Sequence, residues 1–452
     1  MRTIYIETLG CSKNACDSEF AAGVLEGAGY LAVDDPAEAS VILVNTCGFI
    51  DDAKRESIDA ILELSAYKED GRLLVVSGCL SQRYGEALAR ELPEVDLFLG
   101  VGDYARLADL LEARTGAPGC GRKRRSAENA GVAGGAGCET CPAPRRRRLG
   151  PVYTASVKVA EGCDNRCAYC VIPDIRGPYK SRALDDVLRE CASLVEGGAA
   201  ELVLVAQDVT NYGADLYGRA MPEKLVREIC GIGGLRWLRL MYCYEDRVTE
   251  GLIEAMASEE KVCHYIDLPL QHASDRVLAA MRRRSNKAGM LRTIGRLRAA
   301  IPDIHIRTTL ITGFPGESRA DFEELLEFVE TVRFERLGAF AYSREEGTPA
   351  ASMKGQVRAS VRQSRRNRIL RLQQGISLEK NREKIGRTLE ALVEEREPDG
   401  SFSGRTRYDA PEVDNGILFT APDAASAAPA PGDIVRVRVD DAFDYDLAGH
   451  MV

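Results

Sequence analysis

The amino-terminal part of the chain alternates short apolar runs with amphipathic stretches. Three runs have the length and composition of buried strands, at residues 4–6, 41–44 and 73–76. Between the second and third runs, Ile58, Ile61 and Leu62 recur with the spacing of one helix face. Continuous apolar strands separated by helices predict an α/β domain with a parallel sheet covered on both faces, over residues 1–114.

Six further apolar strands follow between residues 151 and 353. They centre on Val157, Val203, Leu238, Ile266, Thr309 and Ala339. One of the intervening helices has an apolar face formed by Phe322, Leu325, Leu326 and Val329. Six βα units are too many for a simple open mononucleotide fold and too few for a closed eight-stranded barrel. The pattern therefore predicts a partial (β/α)6 barrel.

The carboxy-terminal part has a different pattern. A basic helix is predicted over residues 357–384, and short strands at 389–393, 417–420 and 434–439 are separated by turn residues. This pattern predicts a small β-barrel of five strands. The chain is thus an α/β multidomain protein, with an amino-terminal domain (1–114), a flexible linker (115–150), a barrel domain (151–378) and a β-barrel domain (379–452).

The linker is rich in Gly, Ala, Pro and Arg and has no apolar periodicity. We interpret its four consecutive arginines, at 145–148, as part of a solvated tether, and an anion- or RNA-binding patch is the alternative. The linker also contains a C-x2-C pair, Cys138 and Cys141. No second pair accompanies it, so a metal or redox role has little support.

Composition narrows the class of protein. Hydrophobic residues make up 45% and charged residues 29% of the 452, as in globular proteins. No apolar run approaches the roughly 20 residues that span a bilayer, and the first residues lack the apolar block of a secretion signal. We therefore expect a cytoplasmic protein without membrane association. In that reducing compartment, fourteen cysteines favour metal binding or redox chemistry over disulfides.

The densest cysteine motif is C-x3-C-x2-C, formed by Cys163, Cys167 and Cys170 directly after the first barrel strand. Three thiolates on one short loop can hold three irons of a [4Fe–4S] cluster and leave the fourth iron open to an outside ligand. A structural zinc site would need a fourth ligand, and the loop offers no further Cys or nearby His. The motif predicts an iron–sulfur cluster.

A second set of cysteines is dispersed along the sequence. Cys11, Cys47 and Cys79 each lie just past the end of one of the first three strands. Because the carboxyl ends of parallel strands share one edge of a sheet, these thiols are expected to meet there. Neighbouring glycines let the backbone approach a bulky group. We predict a second cluster with an open iron, and small core cysteines are the alternative.

The Cys163 loop, with Tyr169 before its last cysteine, resembles the signature of the radical S-adenosylmethionine (SAM) superfamily. The resemblance implies that the open iron chelates SAM and that the reduced cluster cleaves SAM to a 5′-deoxyadenosyl radical. The family's fold is a partial βα barrel, in agreement with the strand count above.

Five residues are then candidates for SAM contacts besides Tyr169. Gln207 and Asp208 end the second barrel strand, where side chains point into the mouth of a barrel, although a helix cap is an alternative role. Gln271 is a candidate wall residue after the fourth strand. Gly313 closes the fifth strand and would let backbone lie along adenine. Arg176 is a candidate to bind a carboxylate, with a surface role nearly as plausible.

Two three-cysteine sets followed by a small β-barrel are similar to the radical SAM methylthiotransferase family. Stretches that resemble its RimO-type, ribosomal-protein aspartate branch are residues 9–14, 17–19, 172–173, 176–177, 181–182 and 409–414. The resemblance implies two [4Fe–4S] clusters on the six cysteines, SAM, an external electron donor and a carboxy-terminal TRAM-like domain. It assigns no catalytic residue beyond the clusters.

Charge supports that branch. The whole chain has a net charge of −9, and residues 379–452 contain 16 acidic and 9 basic residues, a net charge of −7. An acidic module is repelled by phosphates and attracted by a basic ribosomal protein, so no direct nucleic-acid binding is predicted. Our hypothesis is methylthiolation of an aspartate β-carbon in a small-subunit ribosomal protein, either isolated or within the ribosome. The alternatives are a tRNA adenosine methylthiotransferase and a two-cluster electron carrier that does not cleave SAM.

Overall fold

A computed structural model of the protein describes residues 2–68, 71–115, 146–422 and 428–452. The chain forms two compact units, Met1–Pro151 with Cys170–Pro178, and Val152–Tyr169 with Tyr179–Val452. None of the described helices is both long and apolar enough to cross a membrane. Most of the predicted linker, with Arg145 and the Cys138–Cys141 pair, lies outside the described residues.

The first unit contains a five-stranded parallel sheet in the order β2-β1-β3-β4-β5. Its strands are β1 (Arg2–Thr8), β2 (Tyr30–Ala32), β3 (Val41–Thr46), β4 (Leu73–Gly78) and β5 (Leu97–Phe98). Its helices are α1 (Ser12–Gly27), α2 (Asp51–Ser65), α3 (Cys79–Glu91), α4 (Leu107–Thr115) and α5 (Ile172–Arg176). The predicted parallel sheet is confirmed; β2 and β5 are too short for sequence periodicity to reveal.

Strand β3 shows why this sheet is covered on both faces. Val41 and Leu43 pack into one apolar core, whereas Ile42 and Val44 pack into the other. A strand buried on both sides needs an unbroken apolar run, as this sequence has. On α2 the predicted apolar face is wrong in one position, because Leu62 is 47% exposed while Ile61 and Leu64 are buried.

The second unit contains a six-stranded parallel sheet in the order β13-β12-β11-β10-β9-β6. Its strands are β6 (Thr154–Lys158), β9 (Glu201–Val205), β10 (Trp237–Leu240), β11 (Val262–Gln271), β12 (His305–Thr312) and β13 (Arg336–Ala341), with a small ribbon of β7 (Ala160–Glu161) and β8 (Lys180–Ser181). All six predicted strands are confirmed. Because β13 and β6 are the two edges of this sheet, the barrel is partial, as predicted.

The helices of the second unit cover the sheet and lead into the last domain. They are α6 (Leu184–Glu196), α7 (Ala214–Tyr217), α8 (Pro222–Cys230), α9 (Glu250–Ser258), α10 (Asp275–Ala280), α11 (Lys287–Ala300), α12 (Arg319–Val332), α13 (Pro349–Ser352) and α14 (Ala359–Arg382). Helix α14 is the predicted basic helix. A closed barrel follows, in the order β14-β15-β16-β18-β17. Its strands are β14 (Thr388–Arg396), β15 (Phe402–Thr406), β16 (Ile417–Thr420), β17 (Ile434–Ala442) and β18 (Leu447–Met451).

Buried ion pairs join the closed barrel to the amino-terminal ends of the parallel strands. Arg336, the first residue of β13, donates from Nε to Asp409 Oδ1 at 3.0 Å. Tyr265 in β11 donates its hydroxyl to Asp414 Oδ2 at 2.6 Å, and Glu201 at the start of β9 pairs with Arg405. The number of acidic residues in 379–452 therefore overstates the negative surface charge of the closed barrel. The buried carboxylates of Asp409 and Asp414 are paired with arginines of the six-stranded sheet.

Candidate functional site

Cys11, Cys47 and Cys79 lie where three adjacent parallel strands end. Cys11 immediately precedes α1, Cys47 follows β3 and Cys79 is the first residue of α3. A Cβ atom added to Gly10 would lie 2.8 Å from the Cβ of Cys47, and Gly10 has a φ of +94°, so this position requires glycine. The structure thus places the three thiols at one sheet edge, as the sequence predicts.

The three thiols differ in their electrostatic surroundings. Burial, followed by the neighbouring thiols, raises the pKa of Cys47 to about 11. Burial also raises the pKa of Cys79. Around Cys11 burial acts in the same direction, but the charges of Lys13 and Arg176 outweigh it and lower the pKa of that thiol. Neighbouring cations therefore favour the thiolate form of Cys11.

Arg176 belongs to this cysteine cluster. Its Nη2 atom donates to Asn14 Oδ1 at 2.7 Å and to Asp17 Oδ2 at 3.1 Å, and its side chain is 1% exposed. In this structure the partner of Arg176 is the buried carboxylate of Asp17, and a contact of Arg176 with the carboxylate of SAM stays a prediction. Sequence spacing could not show that α5 packs in the first unit, with Val171 and Ile175 against Cys79.

Three thiols at one sheet edge have the donor chemistry that an iron–sulfur cluster needs. No three Cys, His, Asp or Glu side chains in the described ranges stand close enough to hold one metal ion. In a cluster each thiolate binds a different iron, so the sulfurs stand farther apart than ligands of one ion. No disulfide joins Cys11, Cys47 or Cys79. That they hold a cluster stays a prediction.

The C-x3-C-x2-C loop is stabilised by hydrogen bonds to its sulfurs. Cys163 Sγ accepts from the backbone N and from Nδ2 of Asn165, both at 3.5 Å. Cys167 Sγ lies 3.9 Å from the Tyr244 hydroxyl. In the segment Cys170–Pro178 of the first unit, the backbone N of Ile172 donates to Cys170 Sγ at 3.4 Å. Such contacts are typical of thiolates that bind metal clusters.

Asp208 holds this loop from the end of β9. Its carboxylate accepts from Asn165 Nδ2 at 3.1 Å and pairs with Arg247. Burial nevertheless raises the pKa of Asp208. Asp208 therefore positions Asn165, and its predicted contact with SAM stays a prediction. Gln207 is half-buried, and its SAM contact stays a prediction.

The fold itself requires a glycine at position 313. Gly313 has a φ of +73°, and a Cβ atom added there would lie 2.1 Å from Cγ of Arg362, a residue of α14. The contact of Gly313 with SAM stays a prediction. Gln271 is buried with a φ of +73°, an unusual conformation for a residue with a Cβ. Tyr169 is partly buried beside Ala168 and Phe314.

Comparisons with known proteins agree with this architecture. Residues 3–100 match the model of Uncharacterized protein family UPF0004, 157–329 the Radical SAM superfamily and 385–452 the TRAM domain. The ribosomal protein uS12 methylthiotransferase RimO of Geobacter sulfurreducens is 47% identical over 98% of this chain and 97% of its own. The protein of that name from Anaeromyxobacter sp. (strain Fw109-5) is 48% identical over 99% and 93%.

The chain belongs to the RimO methylthiotransferase family. It is a radical SAM transferase, and the family implies an iron–sulfur cluster and SAM as its cofactors. The tRNA branch is not favoured, since these relatives carry the ribosomal-protein name. Two solved structures share the fold: the radical SAM methyltransferase TsrM of Kitasatospora setae (TM-score 0.57, 17% identity, 77% of this chain and 74% of that one) and the cobalamin-dependent enzyme OxsB (0.53, 11%, 83% and 56%).

Sequence reasoning missed the polar side of α1 in this methylthiotransferase. Asn14, Asp17 and Ser18 are buried and face the cysteine edge, where Asn45 Nδ2 donates to Ser18 Oγ at 2.9 Å. Asn14, Asp17 and Ser18 have the i, i+3, i+4 spacing of one helix face. Hydrophobic periodicity does not reveal such a face, but polar residues at helical spacing directly after a cysteine indicate it.

Proposed function

We propose that this enzyme replaces one β-carbon hydrogen of an aspartate in ribosomal protein uS12 with a methylthio group. The observation that carries the proposal is the match along nearly the whole chain to proteins of that name, at 47–48% identity. The three cysteines at the edge of the amino-terminal sheet add the second cofactor site that sulfur insertion needs.

We assign one [4Fe–4S] cluster to Cys163, Cys167 and Cys170 and a second to Cys11, Cys47 and Cys79. When bound, the first cluster with SAM supplies a radical able to remove an unreactive hydrogen, and the second supplies the sulfur. An aspartate β-C–H is too weak an acid for protein bases, so the residues of this chain position groups rather than transfer that proton. The methyl group comes from a second SAM, and electrons come from an external low-potential donor.

The protein's own part is to hold these ligands in place. Asp208 and Arg247 orient Asn165 under the sulfur of Cys163. Arg176 and Asp17 fix α5 next to Cys79. We propose five barrel residues as SAM contacts on the basis of their positions: Tyr169, Gln207, Asp208, Gln271 and Gly313. Arg176 is proposed as a sixth contact because its residue type suits a carboxylate.

The substrate is attracted by charge at the carboxy-terminal barrel. Asp409 and Asp414 are paired inside the protein, but exposed carboxylates remain at the end of β17 and in the turn after it, at Asp440, Asp441 and Asp446. These charges steer a basic ribosomal protein toward the enzyme. A ribosomal substrate also places the enzyme in the cytoplasm.

Mass spectrometry of purified uS12 tests the substrate. The anaerobically reconstituted enzyme, with SAM, sulfide and a reductant, should add the mass of one methylthio group to one aspartate. Unfractionated tRNA treated in parallel should gain no methylthioadenosine. Modified tRNA together with unmodified uS12 would contradict the proposal.

Iron content tests the second cluster. The reconstituted wild-type enzyme should hold about eight irons, four for each cluster, and the triple variant C11A/C47A/C79A about four. The matched control C191A/C230A/C263A removes three buried cysteines outside both sets and should keep about eight irons. Full iron in the first variant would refute the second site.

A further inference from the structure

A second run of arginines, Arg282 to Arg284, lies between α10 and α11. Its middle residue is buried: Arg283 donates to Glu245 Oε2 and to the carbonyl oxygen of Pro269, both at 3.1 Å. Its guanidinium also lies 4.3 Å from the centre of the Tyr244 ring. Arg282 adopts a φ of +58°, and both Arg282 and Arg284 are exposed. The anchored Arg283 therefore fixes two flanking cations at the surface.

One of these two cations, Arg284, lines a cavity of about 340 Å³. Arg284 and Arg292, the latter from α11, line it together with Ser285 and Asn286. Arg282 and Arg284 also line a smaller cleft that includes Asn165 and Cys167. The three arginines Arg282, Arg284 and Arg292 are called the arginine rim below. The rim therefore belongs to the end of the partial barrel that carries the cluster loop.

The charge of the rim is not balanced locally. No carboxylate of the described chain forms an ion pair with any of its three arginines. Asp246 is an exposed acid on the same cavity, and Glu245 is already paired with Arg283. Three cations against one exposed acid leave a positive surface, in a protein whose net charge is −9.

The arginine run that the sequence analysis singled out behaves differently. Arg146 and Arg148 both pair with the buried carboxylate of Glu19, and Arg147 pairs with Glu26. Interpreting Arg146 and Arg148 as solvated is therefore wrong, because they fasten the chain onto α1. Their cationic groups are neutralised, whereas those of the rim are available.

We infer that the arginine rim binds the phosphate backbone of RNA. This inference rests on the proposed function: uS12 is itself basic and is repelled by the rim, whereas the RNA that surrounds it in the ribosome is a polyanion. Guanidinium groups bind phosphate oxygens in a bidentate manner, and the rim offers two of them on the anchored loop and a third on α11. The acidic TRAM domain and the basic rim thus divide recognition between protein and RNA, and the rim adds affinity when uS12 is associated with RNA.

Salt-dependent binding tests the inference. The reconstituted full-length enzyme is titrated with protein-free small-subunit ribosomal RNA between about 50 and 200 mM salt. Log K falls as log salt rises, and each lost phosphate contact makes this negative slope shallower by about 0.7 to 0.9. The variant R282Q/R284Q/R292Q should therefore lose about 2 to 2.7 from the slope, which is on the order of 100-fold or more in affinity at 0.1 M salt.

A control variant separates the rim from general charge. R219Q/R236Q/R371Q removes three exposed arginines elsewhere and should leave the slope near that of the wild-type enzyme. Equal slopes for all three proteins, or no RNA binding by the wild type, would overturn the inference and point to an acidic protein as the partner of the rim. Methylthiolation of isolated uS12 by the wild-type enzyme is scored separately, so failure of the proposed function is distinguished from failure of RNA binding.

Discussion

The buried pair between Arg176 and Asp17 gives the sharpest test of how the amino-terminal cysteine edge is built. The substitution Arg176→Met keeps the length and apolar stem of the side chain but removes its charge. Asp17, whose side chain is 4% exposed, then remains buried without its cation. Removing one partner of a buried pair costs about 3–5 kcal/mol, because the other charge stays desolvated. Since about 1.4 kcal/mol is a factor of ten, opening of this region should become roughly 10² to 10⁴ times more frequent.

Hydrogen exchange measures that change. The amides of α1 and of the segment Cys170–Pro178 should exchange faster in the variant, up to the limit set by global unfolding. The matched control is Arg147→Gln, which breaks the pair with Glu26 on the same helix. That pair is about half exposed on both sides, so its loss should cost no more than about 1 kcal/mol.

A double variant checks the cause. D17N/R176M removes both charges and should recover most of the protection, because a neutral replacement of a buried pair is often tolerated. If Arg176→Met exchanges no faster than Arg147→Gln, the pair does not hold α5 against α1. The pair would then not be what fixes α5 next to Cys79.

Three further predictions concern the second unit. Gly313→Ala should lower the free energy of unfolding by roughly 1–3 kcal/mol, because residue 313 has a positive φ and the added Cβ clashes with Arg362. The thermal midpoint of the variant should fall, and an unchanged midpoint would contradict this. Arg336 holds the pKa of Asp409 well below its usual range, so the stability from that pair is present above about pH 4 and is lost as the pH falls further; Asp409→Asn should remove this dependence in acid unfolding curves. Burial lowers the pKa of Lys384 to about 8, so the unfolded chain binds more protons from about pH 8 to 10 and stability should rise across that window, whereas Lys384→Met should flatten the rise.

Most of the fold follows from local sequence. Short apolar runs in the sequence correspond to the six barrel strands and to the three main strands of the first sheet. A strand that is buried on both faces, such as β3, needs apolar residues at successive positions. Strand ends then determine where Cys11, Cys47 and Cys79 lie, because parallel strands share a carboxyl edge. The three cysteines of the Cys163 loop are close in sequence, so motif spacing alone predicts that they bind one cluster.

The partners of individual polar side chains were decided only by the tertiary structure. Arg176 and Asp208 each had the right residue type for binding SAM, yet packing gave them Asp17 and Asn165 as partners. The arginine runs at 145–148 and 282–284 are both strings of consecutive cations in the sequence. Only the tertiary structure shows that Glu19 pairs with Arg146 and Arg148. Periodicity reports how each residue is oriented within its own element, whereas an ion pair depends on which distant element packs beside it. Which distant elements pack together is decided by the whole folded chain, so it cannot be predicted from the local pattern of one sequence.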